Sequence, residues 1–96
     1  MPNFIFSRQA DNDLDLLTDY GLEVWGELQT HRYLSGLYEL FQLLSQKPEL
    51  GRDASKYAPL LLRYNHHSHA IFFEPINTGI YIVRVLGIRQ DFSNHL

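Results

Sequence analysis

Three histidines, His66, His67 and His69, crowd one short stretch, and two arginines, Arg63 and Arg84, sit inside segments that are otherwise apolar. Imidazole ligates zinc-like ions and is the side chain whose proton moves near neutral pH. His67 and His69 would share one face of an extended segment. No third ligand stands nearby and the chain has no cysteine, so a turn followed by a strand accounts for the histidines without metal. A guanidinium is costly to bury and is either paired or turned towards a site. Two readings of the arginines follow. In one, each faces solvent or pairs with a carboxylate such as Glu74 or Asp91; in the other, both share a face with Arg89 or Lys56 and make a cationic site that stabilises phosphate charge.

Other chemistry is poorly supported. Asp11, Asp13 and Asp15 have the spacing of the first ligands in a calcium loop, but Leu16 stands where that loop needs glycine and Leu22 where it needs a bidentate glutamate. A solvated helix face, with acids favoured near the N-terminal dipole, explains them. No Ser-His-Asp ordering, phosphate-cradling glycine loop or nucleotide fingerprint is recognisable. No residue is therefore assigned a catalytic role, and no metal or cofactor is expected.

The elements that position these residues follow from periodicity. Phe4-Ile5-Phe6 reads as a short strand, with Ser7 placed to cap a helix in which Ala10, Leu14, Leu17, Tyr20 and Val24 form an apolar stripe. Gly21 marks a bend or a close packing contact. Trp25-Gly26 closes that helix, and Leu28, Leu34, Leu37, Tyr38, Phe41 and Leu44 define a second one that stops by Lys47, before Pro48. Lys47 to Pro59 is a long connection, of the kind that often carries function. Three strands follow, roughly 60–65, 69–74 and 80–86, then a polar tail from Arg89 to Leu96. The order β-α-α-β-β-β defines an α+β fold: a helical hairpin packed on one face of a small, mostly antiparallel sheet.

At 96 residues the whole chain, 1–96, is expected to be a single domain. A composition of 45 % hydrophobic and 20 % charged residues suits a soluble globular protein, and the absence of cysteine suits a reducing cytoplasm. The opening Met1-Pro2-Asn3-Phe4 lacks the basic and apolar regions of a leader, and no run is apolar enough to cross a membrane. A net charge of -3 disfavours a surface that grips nucleic acid throughout. The charges are segregated: six acids and no lysine or arginine between Asp11 and Glu27, against six basic and four acidic residues from Lys47 onward. A polyanion would meet the sheet side.

Taken in order, Ser7, Ala10, Asp13-Leu14, Tyr20, Trp25-Gly26, Gln29, Tyr33, Leu37, Phe41, Pro48, Gly51-Arg52, Leu62-Arg63, His69, Ile71-Phe72-Phe73, Ile82, Arg84-Val85-Leu86, Asp91 and His95-Leu96 resemble the ParE toxins of bacterial toxin-antitoxin modules. The match spans nearly the whole chain, and the derived architecture is similar to that of the RelE/ParE superfamily. The resemblance implies a non-enzymatic cytoplasmic toxin that inhibits DNA gyrase and is neutralised by a ParD-like antitoxin. The two would form a hetero-oligomer of two toxins with two antitoxins or larger, without membrane attachment or sequence-specific DNA binding by this chain. Arg63, Arg84, Arg89 and His69 are then the candidates for toxicity and target contact; Trp25, Tyr33, Leu37 and Tyr57 are those for antitoxin contact. One alternative is ribosome-dependent mRNA cleavage of the RelE type, with Arg63 and Arg84 aligned to nuclease arginines. Against it, Gly87 stands where many superfamily members, most ParE-like chains included, carry histidine, and Phe92 where nucleases often place tyrosine. Arginine is no base at neutral pH, which leaves only His69 or His95. A degenerate, non-toxic antitoxin-binding domain is the other alternative.

Overall fold

The structure, a computed structural model, describes residues 3–96. Met1 and Pro2, part of the opening read as lacking a leader, lie outside it. Strand β1 (Asn3–Phe6) runs into helix α1 (Arg8–Val24), then α2 (Glu27–Gln46), a 3₁₀ turn at Pro48–Leu50, and β2 (Arg52–Asp53). Strands β3 (Leu62–His66), β4 (His69–Ile76) and β5 (Gly79–Gly87) form a meander, and a second 3₁₀ turn, Phe92–Asn94, closes the chain.

Ser7 makes the first turn of the main chain possible. Its extended ψ of 164° and its Oγ, accepting from Ala10 N–H at 2.9 Å, cap α1, while the same Oγ donates to Val83 O at 2.7 Å. The helix start is thereby fixed to β5. At the other end Gly21 O accepts from both Trp25 N–H and Gly26 N–H, and Gly26 takes φ 87°, open to glycine at no steric cost. Gly21 itself is a packing contact. A Cβ there would lie 2.7 Å from Thr30 Oγ1, so only a bare Cα lets the two helices approach this closely.

The five strands lie in the order β1-β5-β4-β3-β2. The meander is antiparallel as expected, but β1 pairs in parallel with β5, Phe4 opposite Ile80 and Phe6 opposite Ile82, which makes the sheet mixed. A bulge at Phe72/Phe73 leaves Val83 as the extra residue of β5, since Phe72 faces Arg84 and Phe73 faces Ile82. The long connection is also more ordered than its sequence implies: it holds the Pro48–Leu50 turn and β2, which lays Arg52 against Arg63.

Two apolar layers flank the sheet. Leu14, Leu17, Leu37, Leu40, Phe41 and Leu44 of the helices meet Ile71, Phe73, Ile80, Ile82 and Val85. On the other face, Ala54 and Leu61, which lie between β2 and β3, cover Ala70, Phe72 and Leu86, with Tyr57, Phe92 and Leu96 packed alongside. Burial on both faces explains why Ala70-Ile71-Phe72-Phe73 reads as an unbroken hydrophobic run. The tail expected to be merely polar is therefore part of the second layer. Both apolar stripes also run too far: Tyr20, Val24, Leu28 and Tyr38 are exposed, and Leu40 and Ser45 are buried with the core residues of α2. Among the described residues no helix is long and apolar enough to cross a membrane.

Candidate functional site

β1 ends at Phe6, so β5 beyond Ile82 has no strand neighbour on that side. Side chains take the place of a strand. Asp13 Oδ2 accepts from Val85 N–H at 2.9 Å, and Gln90 Oε1 accepts from Gly87 N–H at 2.6 Å. Because α1 runs along this open edge, Asp13 also receives Arg84 as a fork, Nε to Oδ2 and Nη2 to Oδ1, each 2.8 Å. The pair is largely shielded, with 12 % of the arginine side chain and 8 % of the aspartate exposed. Bidentate hydrogen bonding to Asp13 raises the Arg84 pKa above its ordinary value. The remaining Nη1 donates to His95 O at 3.0 Å, which ties the tail to the same guanidinium.

Arg84 is thus neither solvent-facing nor paired with Glu74 or Asp91; its partner is Asp13, read from sequence as one acid on a solvated face. Cross-strand register does put Arg63 and Arg84 in one row, either side of Phe72. They do not converge into a single cationic site. Arg63 lies 5.4 Å over the Phe92 ring, the tail occupies the space between the two arginines, and Arg89 lines a different cavity from Arg63.

A second cluster forms where β3 turns into β4. His67, with φ 51°, and Ser68 make the two-residue turn that brings His66 and His69 opposite each other. Tyr33 of α2 sits among the three imidazoles, with ring centroids 5.5–6.1 Å apart. Its hydroxyl lies 2.6 Å from His69 Nδ1 and 3.4 Å from His66 O, so the shorter contact is the hydrogen bond. With Tyr33 donating, Nδ1 is bare and the His69 proton sits on Nε2. Burial lowers the His69 pKa, assisted by His66 and opposed by Asp13; burial likewise lowers His66, and burial raises Tyr33. Both lowered values favour the neutral imidazole of His66 and His69 at physiological pH. Among the described residues no grouping of potential ligands could hold a metal ion.

Between these two clusters opens a cleft of about 640 Å³, lined by Asp13, Leu16, Leu17, Tyr20 and Trp25 on the helical side and by His67, His69, Val85, Ile88, Arg89 and Gln90 on the other. Its rim is apolar, with Leu16 60 % and Tyr20 55 % exposed. Of the helical side of this rim, Trp25 was singled out in sequence but Leu16 and Tyr20 were not, because one outward-facing leucine looks like any other until the fold shows that Leu16, Tyr20 and Trp25 border one cavity. Gly87 lines the cleft opposite His69 in the β4–β5 register. A Cβ there would meet nothing closer than Gln90 Oε1 at 3.4 Å, so the glycine is not required by sterics.

Of the candidates for antitoxin contact, Trp25 lines the cleft and packs edge-on against Tyr20 and at a tilt against Tyr33. Tyr33 is half-buried beneath the histidines. Tyr57 lies on the far face of the sheet against Phe72 and Phe92, with Lys56 over its ring. Leu37 is excluded as a surface contact: it is 0 % exposed, in the core between α2 and the sheet. Its sequence position on the apolar stripe is equally consistent with either place.

The arrangement agrees with the comparisons to known proteins. The model of the family described as ParE toxin of type II toxin-antitoxin system, parDE, matches residues 4–92. Toxin ParE1 of Caulobacter vibrioides is 26 % identical over 96 residues, covering 100 % of this chain and 99 % of that protein. The fold is similar to a chain of the chromosomal ParDE TA system from P. aeruginosa, with a TM-score of 0.77 at 19 % identity over 93 % of this chain and 98 % of that one. With the family model covering nearly the entire chain, this α+β protein belongs to the ParE toxins of type II toxin-antitoxin systems.

Proposed function

We propose that the chain acts in the cytoplasm as a single-domain, non-enzymatic toxin that inhibits DNA gyrase and is neutralised by a ParD-like antitoxin. The observation that carries this reading is the engagement of the groups a nuclease would need. Arg84 is forked onto Asp13, and His69 is a neutral imidazole hydrogen-bonded to Tyr33. A phosphoryl-transfer site needs a free cation beside a base with a pKa near neutrality. Here Arg84 is neutralised by Asp13, and His69, its pKa lowered by burial, is held by Tyr33. Binding chemistry is better supported: a large apolar-rimmed cleft with a few polar groups suits an amphipathic segment that folds as it docks.

The antitoxin is expected to lay an apolar helix face along Leu16, Tyr20 and Trp25. Arg89 and Arg63, which no carboxylate neutralises among the described residues, are the remaining candidates for target contact. Leu16→Glu places a charge on the rim without touching the core, and calorimetry with a ParD-like chain is expected to show affinity reduced by about tenfold or more while gyrase inhibition persists. Unchanged antitoxin affinity would remove the cleft from the interface.

A further inference from the structure

Arg52 and Arg63 stand directly opposite each other in the β2–β3 ladder, so both side chains leave the same face of the sheet. Like charges in that position oppose strand pairing. Nothing nearby relieves them. Among the described residues the only ion pair is Arg84–Asp13, and the carboxylate adjacent to Arg52, that of Asp53, is held by Ser55 N and Oγ, each at 3.1 Å. The Phe92 ring beneath Arg63 fixes its guanidinium without neutralising it. Both arginines line a cavity of about 280 Å³, together with Leu50, Tyr64 and Asn65.

The same place is an open strand edge. β2 stops at Arg52, opposite Arg63, so Tyr64, Asn65 and His66 have a strand neighbour on β4 alone. In an antiparallel ladder alternate residues turn N–H and C=O outward; with His66 paired to His69 at the turn, Asn65 is the residue of this stretch that presents them, a template for another extended chain. We propose that this edge receives an extended acidic peptide segment of a protein partner by strand addition. About three residues, roughly 10 Å at about 3.3 Å per residue, cover Tyr64 to His66. Carboxylates on one face of the added strand, at its period of two, meet the guanidinium pair, and Leu50 meets an apolar side chain between them. A second copy of this chain is disfavoured, because it would bring one arginine pair against another. Single-stranded nucleic acid would satisfy the charge but not the ladder, and the net charge of -3 works against it. The inference does not depend on gyrase being the target.

Fluorescence anisotropy with the full chain and a labelled peptide alternating glutamate and valine tests it, beside a lysine–valine peptide and a short oligothymidylate. The acidic peptide alone is expected to bind. Replacing Arg52 and Arg63 together by alanine is expected to weaken it by about tenfold or more, as loss of two charge-assisted contacts requires. Asn65→Pro, which keeps both arginines but removes an edge N–H, is expected to weaken it as well. Arg52→Gln, at an exposed position, gives a partial loss in a variant that retains its fold by circular dichroism. No binding to the acidic peptide, equal binding to the lysine peptide, tighter binding to oligothymidylate, or full affinity in the folded variants would each overturn the proposal.

Discussion

Asp13 does more for this fold than its place among six acids implies. It accepts from Arg84 twice and from Val85 N–H once, so it closes the edge of β5 and neutralises a largely shielded cation together. Asp13→Asn is expected to cost about 2–3 kcal/mol, measured by urea denaturation, because it leaves Arg84 without its charge partner. Arg84→Ala is expected to destabilise by a similar amount, so a loss of toxicity in that variant is interpretable only after its stability is measured. The histidine cluster has a pH signature. His66 and His69 have folded pKa values below their ordinary 6.5, so the unfolded chain binds more protons as the solution acidifies. Their contribution is fully present above about pH 6.5 and is lost as pH falls through the folded values. The urea midpoint is expected to drop between pH 7.5 and about 5.5, and the drop is expected to shrink in the His66→Gln, His69→Gln double variant. Little of this was legible from sequence. Arg84 and His69 drew notice by type, but Asp13 and Tyr33, their partners, lie 71 and 36 residues away, and no local periodicity reports such contacts.

At the scale of elements, local signals were reliable where one residue's geometry decides the outcome. Ser7 caps α1, Gly26 ends it, and Lys47-Pro48 ends α2 as the sequence requires. Gly21 was ambiguous between a bend and a contact, and Thr30 resolves it. Gly21→Ala is expected to lower stability by about 1–3 kcal/mol despite alanine's better helix propensity, because the added methyl collides with a buried threonine. Thermal denaturation measures this directly; a stabilised variant would show that the helices can separate at no cost. The parallel placement of β1 and the short β2 were beyond the reach of pattern, since four and two residues carry no period, and both are held by tertiary contacts.

For the whole molecule, the second apolar layer is the main lesson. Sequence reading gave the sheet one covered face, because Tyr57, Phe92 and Leu96 are scattered through segments that look polar. Packed together, they give both faces of β4 a partner and pin the tail between Arg63 and Arg84. Two opposite sides of the sheet are left open: the apolar cleft beside β5 and the arginine-lined edge of β3. That division suits a protein that acts by being bound. The most direct test mixes the purified protein with gyrase and supercoiled plasmid. Accumulation of cleaved plasmid held by gyrase, abolished when a ParD-like antitoxin is added first, is the expected result. Unimpaired supercoiling with no trapped cleavage, together with cutting of ribosome-bound mRNA, would contradict it.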